Sequence, residues 1–231
     1  MSGPSPVVPA RGLSVVHLFC RAGGLVDAPA VAAAVDEARA AELQVVSAAI
    51  VGAKADVCLM VLGTDLWDLR RFQSRIQGAG LEVVESYVSV TEVSEYAAGL
   101  PEKMRQDRLF PSLPPEGLPA FCFYPMSKRR AEQHNWYALG YEDRERLMRD
   151  HGRTGREFRG RVLQLVTGST GLDDWEWGVT LFARHLDDLK ECVYTMRYDE
   201  ASTLYGEFGP FYTGMVGSID EVLAATAGGP A

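Results

Sequence analysis

Several polar side chains in the C-terminal half have types and spacings suited to joint chemistry. Tyr124 ends a β-rich run, 119–124, in which Ala120, Cys122 and Tyr124 share one face by the two-residue strand period. Pro125 fixes the exit, and Met126, Ser127, Lys128, Arg129 and Arg130 follow as a cationic cluster at the strand's mouth. A phenol at a sheet rim beside positive charge can meet an anionic ligand with an apolar body. The alternative is a tyrosine that closes the core beside solvated charges. His151 falls with Leu147 and Phe158 on an apolar helical stripe, flanked by Gly152 and Gly155. Glycine costs about 1 kcal/mol inside a helix, so the pair points to an early helix end or to something bulky against the backbone. A planar macrocycle whose iron is held by the imidazole would account for both glycines; a hydrogen-bonded core histidine is the other reading.

Gln164 alternates with Val162 and Val166, which puts one amide on an apolar surface where it needs a partner. That partner is a structural hydrogen bond or a ligand above the sheet. Arg197 ends a helical stripe of Leu189, Val193 and Met196, where it can meet the last carbonyls or grip a carboxylate through two parallel bonds. Ser202, in the loop beyond, can add a hydroxyl to the same anion.

The elements that must position these groups repeat one order twice. Runs at 13–20, 44–51, 56–62 and 82–93 read as strands, with helices capped by Asp27 and by Thr64 or Asp65 between them. After a connector carrying Pro101, Pro111, Pro114 and Pro115, strands at 119–124, 161–167, 176–182 and 208–216 alternate with helices at 142–158 and 187–198. Proline at that density opposes regular structure. Two βαββαβ units predict an α+β fold of tandem ferredoxin-like halves, antiparallel sheets with helices on one face, each sheet covering the other in a dimeric α+β barrel. The expected organisation is a flexible tail at 1–11, an N-terminal half at 12–96, a proline-rich connector at 97–117 and a ligand-binding half at 118–231.

Composition narrows the function. Among 231 residues, hydrophobic ones make up 47% and charged ones 23%, a globular balance. The formal net charge of −8 argues against nucleic acid or an anionic membrane as partner. No apolar run approaches the roughly 18 residues a membrane helix needs, and the N-terminus lacks signal-peptide character. Cys20, Cys58, Cys122 and Cys192 lie far apart in apolar stretches, as small buried hydrophobes of a reducing, cytoplasmic setting.

Taken together, Tyr124-Pro-Met-Ser-Lys-Arg-Arg, Asn135-Trp-Tyr, Met148-Arg-Asp-His-Gly and Thr167-Gly-Ser-Thr-Gly-Leu-Asp-Asp-Trp-Glu-Trp-Gly-Val-Thr-Leu-Phe resemble the coproheme decarboxylases of the chlorite dismutase-like superfamily of haem proteins. The match is dense from Phe121 to about Phe211. The resemblance implies a ring of subunits, commonly a homopentamer, with coproheme (Fe-coproporphyrin III) in the second half as both substrate and redox centre. It also implies hydrogen peroxide-dependent removal of CO₂ from the propionates at positions 2 and 4, which gives the vinyl groups of haem b, and a transient contact with ferrochelatase. On this resemblance Tyr124 is the radical-forming tyrosine, Lys128 stands near the second propionate and His151 is the iron ligand. Gln164 is the distal glutamine, Met126 touches the cofactor, and Arg197, Ser202 and the connector's Arg108 hold propionates. The superfamily's chlorite enzymes carry an arginine where this chain has Gln164. They also pair the proximal histidine with a glutamate, whose position falls near Ala201 with Glu200 beside it, so no strong carboxylate partner is expected. Two other functions on the same residues are a chlorite dismutase-type enzyme and a non-catalytic haem carrier or sensor.

Overall fold

Strand polarity decides the architecture, because residues two apart face the same layer. The computed structural model describes residues 4–97 and 99–226. Its first half runs β1 (Ser14–Arg21), α1 (Ala28–Ala40), β2 (Gln44–Val51), β3 (Val57–Gly63), α2 (Leu66–Gly78) and β4 (Glu82–Thr91). A connector bearing α3 (Glu102–Leu109) leads to β5 (Ala120–Lys128), α4 (Tyr141–Arg156), β6 (Val162–Gly168) and β7 (Trp177–Ala183). The chain ends with α5 (Leu186–Met196), α6 (Glu200–Tyr205), β8 (Gly206–Phe208), β9 (Tyr212–Gly217) and α7 (Ile219–Thr226).

The halves share one strand order. The first pairs as β4-β1-β3-β2 and the second as β9-β5-β7-β6, every pairing antiparallel, which is the ferredoxin-like arrangement twice over. The two sheets then join. Val90 and Thr91 of β4 pair with Gly168 and Thr167 of β6, and β2 pairs with β9 from Ser47↔Gly217 to Val51↔Thr213. The circle β7-β6-β4-β1-β3-β2-β9-β5 is thereby closed by the β5–β7 pairing, with β8 added beside the end of β5. Closure removes the open edges that a lone four-stranded sheet would present.

Alternation sorts each strand between barrel interior and helical cover. Val15 and Phe19 point inward with Met60, Tyr87, Phe121, Phe123, Phe182 and Tyr212, whereas Val16, Leu18 and Cys20 pack outward with Val31, Val35, Phe72 and Ile76 of α1 and α2. His17 shares the interior. It is fully buried, lies 4.3 Å from the Phe123 ring centre, and its Nε2 is 3.0 Å from the Thr180 hydroxyl. Although α7 follows the second half in sequence, its Ile219, Val222 and Leu223 pack on the first. The outer face of the second sheet carries Ala120, Cys122, Tyr124, Val179 and Leu181 under Leu189 and Val193 of α5.

Local chemistry explains where the elements differ from expectation. The connector carries α3 because the eight residues between Pro101 and Phe110 hold neither proline nor glycine; Pro101 itself stands at the N-cap, where a missing N–H costs nothing. The final strand over 208–216, expected to be broken by Gly and Pro, is two strands, β8 and β9, since Pro210 between them can donate no ladder bond. In α4 the helix passes straight through Gly152 and Gly155; a side chain at Gly155 would meet Met196 of α5 at 3.8 Å, ordinary contact. Asp27 and Asp65 cap α1 and α2 as their types require, and Asp65 also accepts from the N–H of Val7. Within the 1–11 segment, residues 1–3 lie outside the described residues, as do 227–231 at the other end. No described helix is long and apolar enough to cross a membrane.

Candidate functional site

The outward face of β5 sets the site. Tyr124, Met126 and Lys128 are two apart and share it, in register with Val179, Trp177 and the β8 strand. Four residues of strand put about 13 Å between the Cα atoms of Tyr124 and Lys128. Tyr124 is 7% exposed, with its ring stacked on Phe211 at 4.5 Å and leaning on Phe208 at 5.9 Å. No side-chain partner holds its hydroxyl among the described residues. Burial first, then the Cys122 and Cys192 thiols, push this phenol above the usual tyrosine range, against the pull of Arg197. It therefore keeps its proton at any physiological pH, so it can lose an electron only together with that proton.

At the far end of the same face Lys128 is buried. Its ammonium donates to the carbonyl of Ala201 at 3.2 Å and lies 4.4 Å over the Trp136 ring. Desolvation lowers its pKa from 10.5 to about 8, opposed by Asp199 and Glu176. Its backbone N–H is held by the Glu176 carboxylate at 2.7 Å. Ala201 belongs to α6, and α6 leads to the histidine. Asp199 caps α6, accepting from Ser202 N and Ser202 Oγ, and its Oδ2 lies 2.9 Å from Nδ1 of His151 on α4. Burial resists the charge on Asp199, yet the bonds from His151 and Ser202 hold its pKa below the ordinary carboxylate value. With Nδ1 engaged, Nε2 is the ring nitrogen left for a metal.

Gln164 and Arg197 complete the face. Gln164 on β6 sits in the row Gln164–Leu181–Cys122, next to the row Val166–Val179–Tyr124, so it shares the outer surface with the phenol. It is exposed, so of the two readings, a structural hydrogen bond or a ligand above the sheet, it needs no structural partner. Arg197 forms the C-cap of α5 and lies 4.7 Å over the Phe208 ring, with no ion pair among the described residues. Phe208 thus touches both Tyr124 and Arg197. Arg108 is on α3, apart from these contacts; the carbonyl of the next residue, Leu109, accepts from Thr91 at the β4–β6 junction.

A model of the chlorite dismutase family matches residues 27–217. The chain belongs to the chlorite dismutase family. It is 44% identical over 177 residues to the coproheme decarboxylase of Staphylococcus carnosus (strain TM300), which covers 72% of this chain and 70% of that protein. The coproheme decarboxylase of Staphylococcus saprophyticus subsp. saprophyticus is 42% identical over 185 residues, 75% of this chain and 73% of the relative. A haem-binding protein from Thermus thermophilus superposes with a TM-score of 0.84 at 34% identity, covering 94% of this chain and 96% of that one. Chlorite dismutase from Candidatus Nitrospira defluvii, solved with imidazole, gives a TM-score of 0.73 at 21% identity over 95% and 97% of the two chains, a likeness of fold.

Two details of this member of the chlorite dismutase family depart from the sequence expectation. The histidine has a carboxylate partner after all, supplied by Asp199; Ala201 is buried and offers only its carbonyl, and Glu200 turns to Arg146 at 3.2 Å. Ser202 spends its hydroxyl on Asp199, because it lies in the first turn of α6 and not in a loop. Asp199, Trp136, Glu176 and Phe208 were not assigned roles from sequence. The signal for Asp199 was present, since Asp followed by Glu at the next position is a helix start.

Proposed function

We propose that the protein is a coproheme decarboxylase: it removes two propionate carboxyl groups of iron coproporphyrin III as CO₂ and releases haem b, with hydrogen peroxide as oxidant. The observation that carries this reading is the single outer face of β5 with Tyr124 at one end and, at the other, Lys128 bonded to the helix that holds the histidine partner. The fit to an iron porphyrin rests on the donor set. His151 is a lone imidazole with one free nitrogen, so a metal there needs a planar chelate to supply its remaining ligands, and Val166, exposed beside Gln164 on the outer face of β6, offers an apolar contact to the body of such a chelate. In this assignment the half at 118–231 binds the substrate, the connector at 97–117 lends Arg108, and 12–96 builds the other wall of the barrel.

The bound iron supplies the two-electron oxidising chemistry when peroxide is present. Each turnover consumes one peroxide and one propionate side chain and yields a vinyl group, CO₂ and two waters, so haem b requires two turnovers. Tyr124, protonated and stacked on Phe211, gives up an electron and a proton and then takes a hydrogen atom from the propionate carbon next to the ring; loss of the remaining electron releases CO₂. Arg197, Arg108 and Lys128 hold carboxylates in register, and Met126 packs against the ring. This is catalysis chiefly by orientation. Gln164 is neutral, whereas the resemblance gives chlorite-degrading relatives an arginine there. The assembly consistent with the reading is a homopentamer in the cytoplasm, a setting that suits four buried free cysteines, supplied with iron porphyrin by a ferrochelatase.

Mass spectrometry of porphyrin after stepwise addition of peroxide to the coproheme-loaded protein tests this directly. Two equivalents of peroxide convert coproheme to haem b through a three-propionate intermediate. Oxygen release from chlorite without decarboxylation would replace the assignment with a chlorite dismutase, and neither reaction would leave a haem carrier.

A further inference from the structure

Resting on the haem reading above, we propose that Phe211, carried to the outer face by a β-bulge, is a positioning residue that clamps the Tyr124 ring against Phe208 and aims its hydroxyl at the substrate. The hydroxyl has no side-chain partner among the described residues, so packing is what remains to orient it. The Phe211 ring lies nearly parallel to the phenol, with centres 4.5 Å and planes 24° apart. The Phe208 ring stands at 57°, with centres 5.9 Å apart. A near-parallel neighbour blocks rotation of the phenol about its Cβ–Cγ bond, and a steeply tilted one blocks its sideways swing.

A shift of register puts both rings there. β5 pairs with β8 at Met126↔Phe208 and with β9 at Phe123↔Tyr212, so Tyr124 and Pro125 face three residues, Gly209, Pro210 and Phe211. This is a β-bulge, a device that re-aims side chains. In a regular strand Phe208 and Phe211 would point to opposite faces. The extra residue returns Phe211 to the outer face with Phe208 and Tyr124, and turns Tyr212 into the barrel interior. Two glycines let the segment lie this close. A Cβ at Gly209 would come within 2.6 Å of Pro125 Cγ and 2.9 Å of the Trp175 ring, and one at Gly206 within 3.0 Å of the Phe208 ring. The Gly209 N–H donates to the Pro125 carbonyl at 2.8 Å, which pins the bulge beside the phenol. Phe208 also carries the Arg197 guanidinium 4.7 Å from its ring centre, so the second jaw of the clamp is itself held from its other neighbour.

Phe211→Leu removes the parallel ring and keeps an apolar side chain. In the ligand-free protein, carbon-13 NMR of ring-labelled tyrosine, assigned by the signals lost in Tyr124→Phe, is expected to show separate signals for the two edges of the wild-type Tyr124 ring and one averaged signal in Phe211→Leu. With coproheme, the variant should keep its Kd within about threefold of wild type while haem b forms roughly tenfold more slowly or worse, since a misplaced reacting group can cost about a hundredfold. Phe211→Met is the second variant if Phe211→Leu does not fold. Averaged signals in the wild type, or haem b formed at the wild-type rate by a folded variant, overturn the proposal. A Kd weakened as much as the rate also overturns it, by assigning Phe211 to substrate contact. Wild-type protein that binds coproheme yet forms no haem b with peroxide would overturn the haem reading instead, and the ligand-free NMR comparison still decides the clamp.

Discussion

Replacing Tyr124 with phenylalanine removes one hydroxyl and little else. The ring keeps its stack on Phe211 and its contact with Phe208, and no side-chain hydrogen bond is lost among the described residues. The stability change should therefore stay within about 0.5 kcal/mol, a shift of about 1–2 °C in Tm for a chain of this size. In the complex the hydroxyl adds at most one hydrogen bond to a carboxylate, about 1.5–3 kcal/mol, so coproheme affinity should weaken by roughly ten- to a hundredfold at most. Decarboxylation has no such reserve, because phenylalanine holds no O–H to give up, and it should fall to the background rate. The assay combines a thermal melt, a Soret titration with coproheme, and mass spectrometry of porphyrin after two equivalents of peroxide. Haem b formed at the wild-type rate by a variant that binds coproheme would refute the radical role. A Tm drop of several degrees would show that the hydroxyl has a structural partner.

Three further outcomes follow from the same geometry. Lys128 is held with its pKa near 8 against an ordinary 10.5, so the native state releases this proton first and the ligand-free protein should gain stability as pH rises from 8 to 10.5, by up to about 3 kcal/mol; denaturant titrations of Lys128→Met should lack that rise. Burial lowers the pKa of His17 from 6.5 to about 3, so only the unfolded chain takes up this proton between those values; as pH falls across that window, stability should drop by as much as about 5 kcal/mol, and His17→Leu should flatten the slope in acid titration. Arg197→Ala should raise the Kd for coproheme roughly tenfold yet leave the Kd for its tetramethyl ester nearly unchanged, since the guanidinium acts on carboxylate charge; equal losses for both ligands would assign Arg197 to packing on Phe208 instead.

Periodicity made much of this fold readable. The two-residue alternation of 119–124 and 162–166 was enough to put Tyr124 and Gln164 on faces of their own strands, and the register through β7 brings those faces onto one surface. The Asp27 and Asp65 caps were legible for the same local reason. The barrel was expected, but the strand pairs that close it were not, because β4 and β6 meet through only two residue pairs separated by more than 70 positions, and no local pattern encodes such a pairing. The partner of His151 stayed hidden for a related cause. Asp199 is 48 residues away and depends on a six-residue helix too short to show periodicity, and that helix also takes in Ser202, which was expected in a loop. Gln164 is exposed although valines flank it, because α5 roofs only part of the second sheet.

The most direct test of the account is a crystal structure of the protein with coproheme bound. The expected density shows iron on Nε2 of His151, the macrocycle against the outer face of β5, β6 and β7, and one propionate at the Tyr124 hydroxyl. Coproheme inside the barrel, or bound on this face with iron on another residue, would contradict it.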